Sequence, residues 1–166
     1  IDLSGLDELR YIKVGKRTIK VGAMTTLTEL LSNEEVMKHE AFKALWEKLT
    51  SPTIANMATV GGSLCLRSSV SDLLTIMLAM GGTVKVIGRK AASTLKIESF
   101  LVRKRLKGLL TEASFPRASP NMVTLFDKIT ASSSKYSLAS LALSLRINSR
   151  GTVNGARVAA NCAKNG

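Results

Sequence analysis

Apolar and polar residues alternate along two short stretches near the start of the chain. Residues 11–14 read YIKV and residues 18–21 read TIKV, and Gly15-Lys16-Arg17 separates them. A period of two is typical of a half-buried strand, and a short loop with glycine joins two such strands into a hairpin. The pattern therefore predicts an antiparallel hairpin over residues 11–21.

Helical periodicity follows this hairpin. Thr26 and Glu29 have the spacing of a capping box with Thr26 as the N-cap, which predicts a helix through about Ser32. A second helix is predicted over residues 40–49, because apolar residues recur there every three or four positions. Its apolar face comprises Phe42, Leu45, Trp46 and Leu49. The segment Ser51-Pro52-Thr53 ends this helix.

The density of apolar residues is highest over residues 73–80, which read LLTIMLAM. A helix that is apolar on most sides is buried, so this segment predicts a core helix. Gly81 and Gly82 end it, and residues 83–87 predict a strand. Residues 88–120 are basic and irregular, with prolines at 116 and 120, and predict a connection without regular structure.

The end of the chain predicts the start of a smaller domain. Residues 138–147 and 152–160 have strand patterns, and residues 148–151 (NSRG) predict the turn between them. The fold class is therefore α+β. We expect a sheet-and-helix lobe over residues 1–117 and part of a second α+β domain over residues 118–166.

Composition narrows the class of protein. The hydrophobic fraction of 45% provides a sizeable core, and the aromatic fraction of 4% makes that core aliphatic. No apolar run approaches the roughly 20 residues that cross a bilayer, and no secretory leader is visible. Cys65, Cys162 and His39 are the only cysteines and histidine. Since a structural metal site takes about four such ligands, we expect no metal in this chain and a reducing, cytoplasmic setting.

Charge is distributed unevenly along the chain. Residues 1–72 carry nine basic and nine acidic residues, whereas residues 73–166 carry fifteen basic and three acidic residues and hold the whole net charge of +12. The densest cluster is Arg103-Lys104-Arg105 with Lys107. Such asymmetry favours an anionic partner, although a solvated basic face is an equal alternative. No aromatic residues interleave with the charges as single-strand nucleic-acid binding requires.

Two adjacent glycines, Gly61 and Gly62, lie in residues 58–72, which read ATVGGSLCLRSSVSD. A tight turn is one interpretation. The other is an anion-binding concavity of exposed N–H groups, to which hydroxyl residues such as Ser68 and Ser69 add donors. The spacing is neither that of a Walker loop nor that of a Rossmann fingerprint. Asp72 is either a first-turn acid favoured by the helix dipole or an acceptor for a ligand hydroxyl.

Residues 51–65 read SPTIANMATVGGSLC, and residues 71–73 read SDL. They resemble the pattern S-P-x-I-R-N-x-A-T-[IV]-G-G-N-L followed by S-P-x-x-D-L of the flavin-binding subunit of molybdenum hydroxylases. This is the family of the carbon monoxide dehydrogenase medium chain and the flavin regions of xanthine dehydrogenase and aldehyde oxidase. Residues 21–27 resemble the family segment that precedes this pattern. Residues 109–116 and 126–128 resemble the segments that follow it.

The resemblance implies a set of FAD contacts. It implies that the second diglycine loop of the family approaches the pyrophosphate, that a carboxylate lies at the flavin site, and that a leucine and a lysine line the pocket. For the leucine, plain core packing is an equal alternative; for the lysine, the alternative is a solvated surface position. The matching residues here are Thr59, Val60, Gly61, Gly62, Ser63, Asp72, Leu110 and Lys128.

The sequence also departs from that family. Ser63 replaces an asparagine, Ala55 an arginine, residues 131–132 a basic pair, and residues 160–162 (ANC) a Leu-Gly-Gly. The N-terminal lobe with its first diglycine loop and the C-terminal end have no counterpart in this sequence. We therefore expect half of the pyrophosphate clasp.

The resemblance implies an FAD-binding electron-transfer component of a molybdenum hydroxylase complex. Its partners are a large molybdopterin subunit and a small iron–sulfur subunit, and no catalytic side chain is required. The alternative is a truncated scaffold without cofactor. Such a scaffold would associate through exposed strand edges, for example into homo-oligomers. A basic nucleic-acid-binding module is a weaker alternative, and no membrane partner is expected.

Overall fold

The computed structural model describes residues 2–49, 51–67, 71–103, 105–130 and 137–162. Ser68, Ser69 and residues 131–132, which the sequence singled out, lie outside them. The strands are β1 (Ile12–Val14), β2 (Thr18–Gly22), β3 (Thr83–Ile87), β4 (Ala92–Lys96), β5 (Leu109–Pro116), β6 (Met122–Thr130), β7 (Ser137–Ile147) and β8 (Val153–Cys162). The helices are α1 (Leu27–Leu31), α2 (Glu40–Glu47), α3 (Pro52–Met57), α4 (Val60–Cys65), α5 (Asp72–Ala79) and α6 (Ile97–Leu101), after a 3-10 turn at Asp7–Leu9.

The first sheet has the strand order β1-β2-β5-β3-β4, and all its pairs are antiparallel. The predicted hairpin is confirmed as β1 and β2. The prediction of an irregular connection over residues 88–120 is wrong, because this segment contains β4, α6 and the central strand β5. Strand β5 lies between β2 and β3, and its residues Leu110, Ala113 and Phe115 are buried.

The helices support the predicted α+β class. Thr26 caps α1 in a capping box, because its side chain accepts from the N–H of Glu29 and Glu29 accepts from the N–H of Thr26. Helix α5 is buried as predicted and is followed by Gly81, whose φ of 68° is the left-handed conformation that ends helices. One detail differs: α2 ends at Glu47, and Trp46 of its predicted apolar face is 45% exposed.

The second sheet has the order β6-β7-β8, also antiparallel. Strands β7 and β8 and the turn between them were predicted; β6 was not. Helix α2 packs against β6, and helix α5 packs against β7 and β8. Phe42 of α2 also contacts Phe115 of β5, with ring centroids 5.0 Å apart. The division of the chain at residue 117 stays a prediction. Among the described residues, no helix combines the length and hydropathy needed to cross a bilayer.

Candidate functional site

The two adjacent glycines lie in the first turn of helix α4. Thr59 is the N-cap, and its Oγ1 accepts a hydrogen bond from the N–H of Gly62 at 3.1 Å. Neither Gly61 nor Gly62 has a φ in the left-handed region. The tight-turn interpretation is therefore wrong, and the segment begins a short helix instead.

Gly61 is required by close packing within the protein. A Cβ atom at this position would lie 2.8 Å from the Cβ of Ala23 and 2.9 Å from its carbonyl oxygen. The N–H of Gly61 donates to that same carbonyl at 2.8 Å. The missing side chain thus allows α4 to meet the backbone just beyond β2.

The backbone N–H groups of residues 60–63 all have acceptors inside the chain. Val60 donates to the carbonyl of Thr25, Gly61 to that of Ala23, and Ser63 to that of Thr59, while Gly62 donates to the Thr59 side chain. Helix N-termini usually leave such groups free for an anion. Here an incoming phosphate would have to share them.

A cleft of about 400 Å³ opens beside these residues, which lies within the roughly 300–1,000 Å³ typical of ligand sites. It brings together four of the residues that the resemblance selected, namely Thr59, Gly61, Gly62 and Leu110. The rest of its lining is Asp2, Leu3, Ala23, Met24, Cys65, Leu106, Gly108 and Leu109. Although Cys65 is exposed, desolvation by neighbouring protein atoms raises the pKa of its thiol, so it is uncharged at neutral pH.

The charge around the cleft is divided between its wall and its rim. Among the described residues that line the cleft, Asp2 is the only charged one, and the hydrogen bond from the backbone of Ser4 lowers the pKa of its carboxyl group. Gly108 also borders a neighbouring open concavity that contains Arg89, Lys90 and Lys107. The cleft therefore suits the neutral part of a ligand. The adjoining basic concavity, called the rim because it shares Gly108 with the cleft, suits an anionic part. Sequence reasoning noted the charge of this region but not its position.

Asp72 and Lys128 lie together, but neither lines the cleft. Lys128 Nζ donates to Asp72 Oδ2 at 2.7 Å, and the hydroxyl of Ser137 donates to Asp72 Oδ1 at 2.6 Å. The two charged side chains are only 12% and 5% exposed. This buried group joins the start of α5 to β6 and β7.

The two remaining selected residues have backbone or core positions. Val60 is 2% exposed and packs in the core. The carbonyl of Ser63 accepts from the hydroxyl of Ser71 at 2.9 Å, which ties α4 to the start of α5. Within the described ranges, no group of three or more His, Cys, Asp or Glu side chains is placed to hold a metal ion.

Comparison with known proteins identifies relatives of this chain. Residues 1–118 match the model of the FAD binding domain in molybdopterin dehydrogenase. The nicotinate dehydrogenase FAD-subunit of Eubacterium barkeri is 29% identical over 140 residues, which are 78% of this chain and 47% of that protein. The glyceraldehyde dehydrogenase medium chain of Sulfolobus acidocaldarius is 25% identical over 157 residues, 89% of this chain and 54% of that one.

Solved structures show the same fold. Carbon monoxide dehydrogenase from Hydrogenophaga pseudoflava superposes with a TM-score of 0.82 at 21% identity, covering 93% of this chain and 55% of that one. Quinoline 2-oxidoreductase from Pseudomonas putida 86 gives a TM-score of 0.80 at 21% identity, covering 93% and 55%. The chain thus spans about half the length of each of these four relatives.

Proposed function

Because this chain belongs to the family of FAD-binding domains of molybdopterin dehydrogenases, we propose that it binds FAD in the cleft beside α4. The observation that carries this proposal is the cleft itself. It joins Thr59, Gly61 and Gly62 to Leu110, which lies about 50 residues further along the chain. Residues selected by a sequence pattern and then found around one cavity of ligand size support a binding site.

The cleft and its rim suit different parts of the dinucleotide. Leu109 and Met24 provide the accessible apolar surface for a ring, since Leu110 is only 4% exposed. The Thr59 oxygen already accepts from the N–H of Gly62, so its hydroxyl hydrogen is what a ribityl or ribose oxygen would receive. The phosphates would face Lys107 and Arg89 on the rim, because the α4 N–H groups already have acceptors.

The proposed role is electron transfer within a molybdenum hydroxylase complex. FAD, when bound, supplies the redox chemistry, and the protein binds and orients it. Electrons would come from a large molybdopterin subunit and a small iron–sulfur subunit and leave to an external acceptor. No side chain of this chain is proposed as catalytic.

A titration of the purified chain with FAD tests the proposal, with quenching of flavin fluorescence as the signal. Cys65→Trp places a large side chain in the cleft, and Cys162→Trp is the matched control because Cys162 lies in β8. We expect saturable binding that Cys65→Trp weakens about tenfold or more, corresponding to about 1.4 kcal/mol or more, and Cys162→Trp leaves unchanged. Binding that both variants retain would place the flavin elsewhere.

A scaffold without cofactor is the second candidate. The buried Asp72–Lys128 pair favours it, because two groups selected as cofactor contacts satisfy each other. The internal acceptors of the α4 N–H groups favour it as well. A folded chain that does not bind millimolar FAD would support this candidate against the first.

A further inference from the structure

A basic cavity, separate from the cleft, lies where the two sheets meet. Its volume is about 570 Å³, and four arginines line it. They come from four different segments: Arg17 from the β1–β2 turn, Arg117 from just after β5, Arg146 from β7 and Arg157 from β8. We propose that this cavity binds the diphosphate group of a small phosphorylated ligand.

This cavity is separate from the cleft proposed for FAD. Arg17 precedes the first residue of β2, whereas Ala23 of the cleft follows the last one. The five residues of β2 lie between them, and the six residue-to-residue steps span about 20 Å at roughly 3.4 Å each. In the neighbouring strand β5, Pro116 lies at the cavity and Leu110 at the cleft. The two sites therefore occupy opposite ends of the same strands.

Acidic side chains of the protein pair with only some of the arginines that line this cavity. Arg117 donates to Glu35 at 2.7 Å, and Arg157 pairs with Glu98 and donates to the carbonyl of Leu78 at 3.2 Å. Over the described ranges, the guanidinium groups of Arg17 and Arg146 have no hydrogen-bond or ion-pair partner, and no acidic residue lines the cavity. Two anchored and two unpaired guanidinium groups thus surround one concavity.

The chemistry of the lining selects phosphate. Guanidinium groups present N–H donors in a planar fork that matches two phosphate oxygens at once. Neutral donors add to this set from Asn121, Asn154, Ser119 and Ser144. Met80, Met122 and Ile147 provide apolar surface beside the charges, which suits a base or another ring attached to the diphosphate. A concave site of this volume favours a small molecule over an extended polymer.

Calorimetric titration with inorganic pyrophosphate and with ADP tests the site. We expect saturable pyrophosphate binding that Arg17→Ala and Arg146→Ala each weaken about tenfold. Both residues are exposed, so neither substitution threatens the fold. Arg150→Ala is the matched control, because Arg150 is an exposed arginine of the β7–β8 turn that does not line the cavity. Tighter binding of ADP than of pyrophosphate would assign a nucleotide, and equal binding a free diphosphate.

Three results would overturn the proposal. They are no binding at millimolar pyrophosphate, an equal loss in Arg150→Ala, and displacement of pyrophosphate by an acidic peptide or duplex DNA at far lower concentrations. The Cys65→Trp variant separates this test from that of the flavin cleft, because pyrophosphate binding should persist in it. Loss of pyrophosphate binding in Cys65→Trp would show that the two sites are one.

Discussion

At the scale of single residues, Asp72 and Lys128 form the most deeply buried ion pair in the described part of the chain. Removing one partner of such a pair leaves an uncompensated charge, which costs about 3–5 kcal/mol. We therefore expect Lys128→Met to lower the free energy of unfolding by about that amount in urea titrations. A loss below about 1 kcal/mol would contradict the buried pair.

A double variant separates the cost of an unpaired buried charge from the cost of altered packing. Asp72→Asn with Lys128→Met removes both charges, and replacing both members of a buried pair is often close to neutral. The double variant should therefore be more stable than Lys128→Met alone. If the two variants are equally unstable, the cost comes from packing around Lys128 and not from charge.

Gly61 and Gly62 are adjacent but differ in the space available for a side chain. A Cβ at Gly61 meets Ala23 at 2.8 Å, whereas a Cβ at Gly62 meets only the Thr59 hydroxyl, at 3.0 Å. Overpacking costs about 1–3 kcal/mol, while alanine is favoured over glycine inside a helix by about 1 kcal/mol. Gly61→Ala should lower the thermal midpoint, and Gly62→Ala should leave it nearly unchanged. Equal midpoints for the two variants would contradict the close approach at Ala23.

Local residue pairs could be predicted from the sequence, and distant pairs could not. The Thr26–Glu29 capping box spans three residues and depends only on spacing. The Asp72–Lys128 pair spans 56 residues, and nothing in the spacing shows that the two side chains meet. Only the family resemblance selected both of them, and it did so as cofactor contacts.

At the scale of secondary-structure elements, His39 connects α2 to both sheets. Its ring is 2% exposed, lies edge-on to Phe42 and Phe115, and contacts the carbonyl of Pro116 at 3.0 Å and the hydroxyl of Thr124 at 3.4 Å. Because a carbonyl only accepts, Nε2 holds the proton and Nδ1 accepts from Thr124. Burial lowers the pKa of His39, so the neutral ring is the stable form.

This lowered pKa makes stability depend on pH. As pH falls below about 6.5, the unfolded chain takes up the His39 proton first, so stability decreases until the folded pKa is passed. We expect the free energy of unfolding, measured by urea titration, to fall as the pH is lowered from about 7.5 to about 5.5. The slope should be at most about 1.4 kcal/mol per pH unit. His39 is the only histidine, so His39→Gln should abolish this slope. A slope that persists in the variant would assign the effect to another group.

The elements with the densest apolar patterns were predicted, whereas β4, β5 and β6 were not. Helix α5 and strand β3 have dense apolar patterns and were predicted within about one residue. Strand β5 (LLTEASFP) mixes threonine, glutamate and serine with its apolar residues and ends in proline, so it was predicted as irregular. It is nevertheless the centre of the sheet, because both neighbouring strands supply its hydrogen bonds.

At the scale of the whole molecule, the outer face of the second sheet exposes several apolar side chains around the carboxylate of Asp127. It includes Leu125, Ile129, Leu141 and Val158, which are between 47% and 68% exposed. Within the described residues, β8 pairs with another strand on one side only. An open face and an open edge both favour association.

We expect self-association that increases with concentration and that Ile129→Lys with Val158→Lys reduces in sedimentation experiments. Lysines on this face would repel one another and remain hydrated in the monomer. Val102→Lys is the control, because Val102 is 81% exposed and lies just after α6. An equal effect of the control would indicate that net charge, and not this face, governs association.

The candidate site could be predicted in part. The glycine motif drew attention to Gly61 and Gly62, and the resemblance added Thr59 and Leu110, which line the same cleft. The basic rim was not predicted. Arg89, Lys90 and Lys107 meet there through the pairing of β3 with β4 and β5, a register that sequence spacing does not show.

The most direct test of the central claim is a map of FAD contacts by amide NMR shifts of the labelled chain. The account predicts saturable shifts at the amides of Gly62, Cys65 and Leu110 around the cleft. The amides of Arg17 and Arg146, in the cavity at the other end of the strands, should not move. Shifts confined to that second cavity, or none at saturating FAD, would contradict a flavin site beside α4.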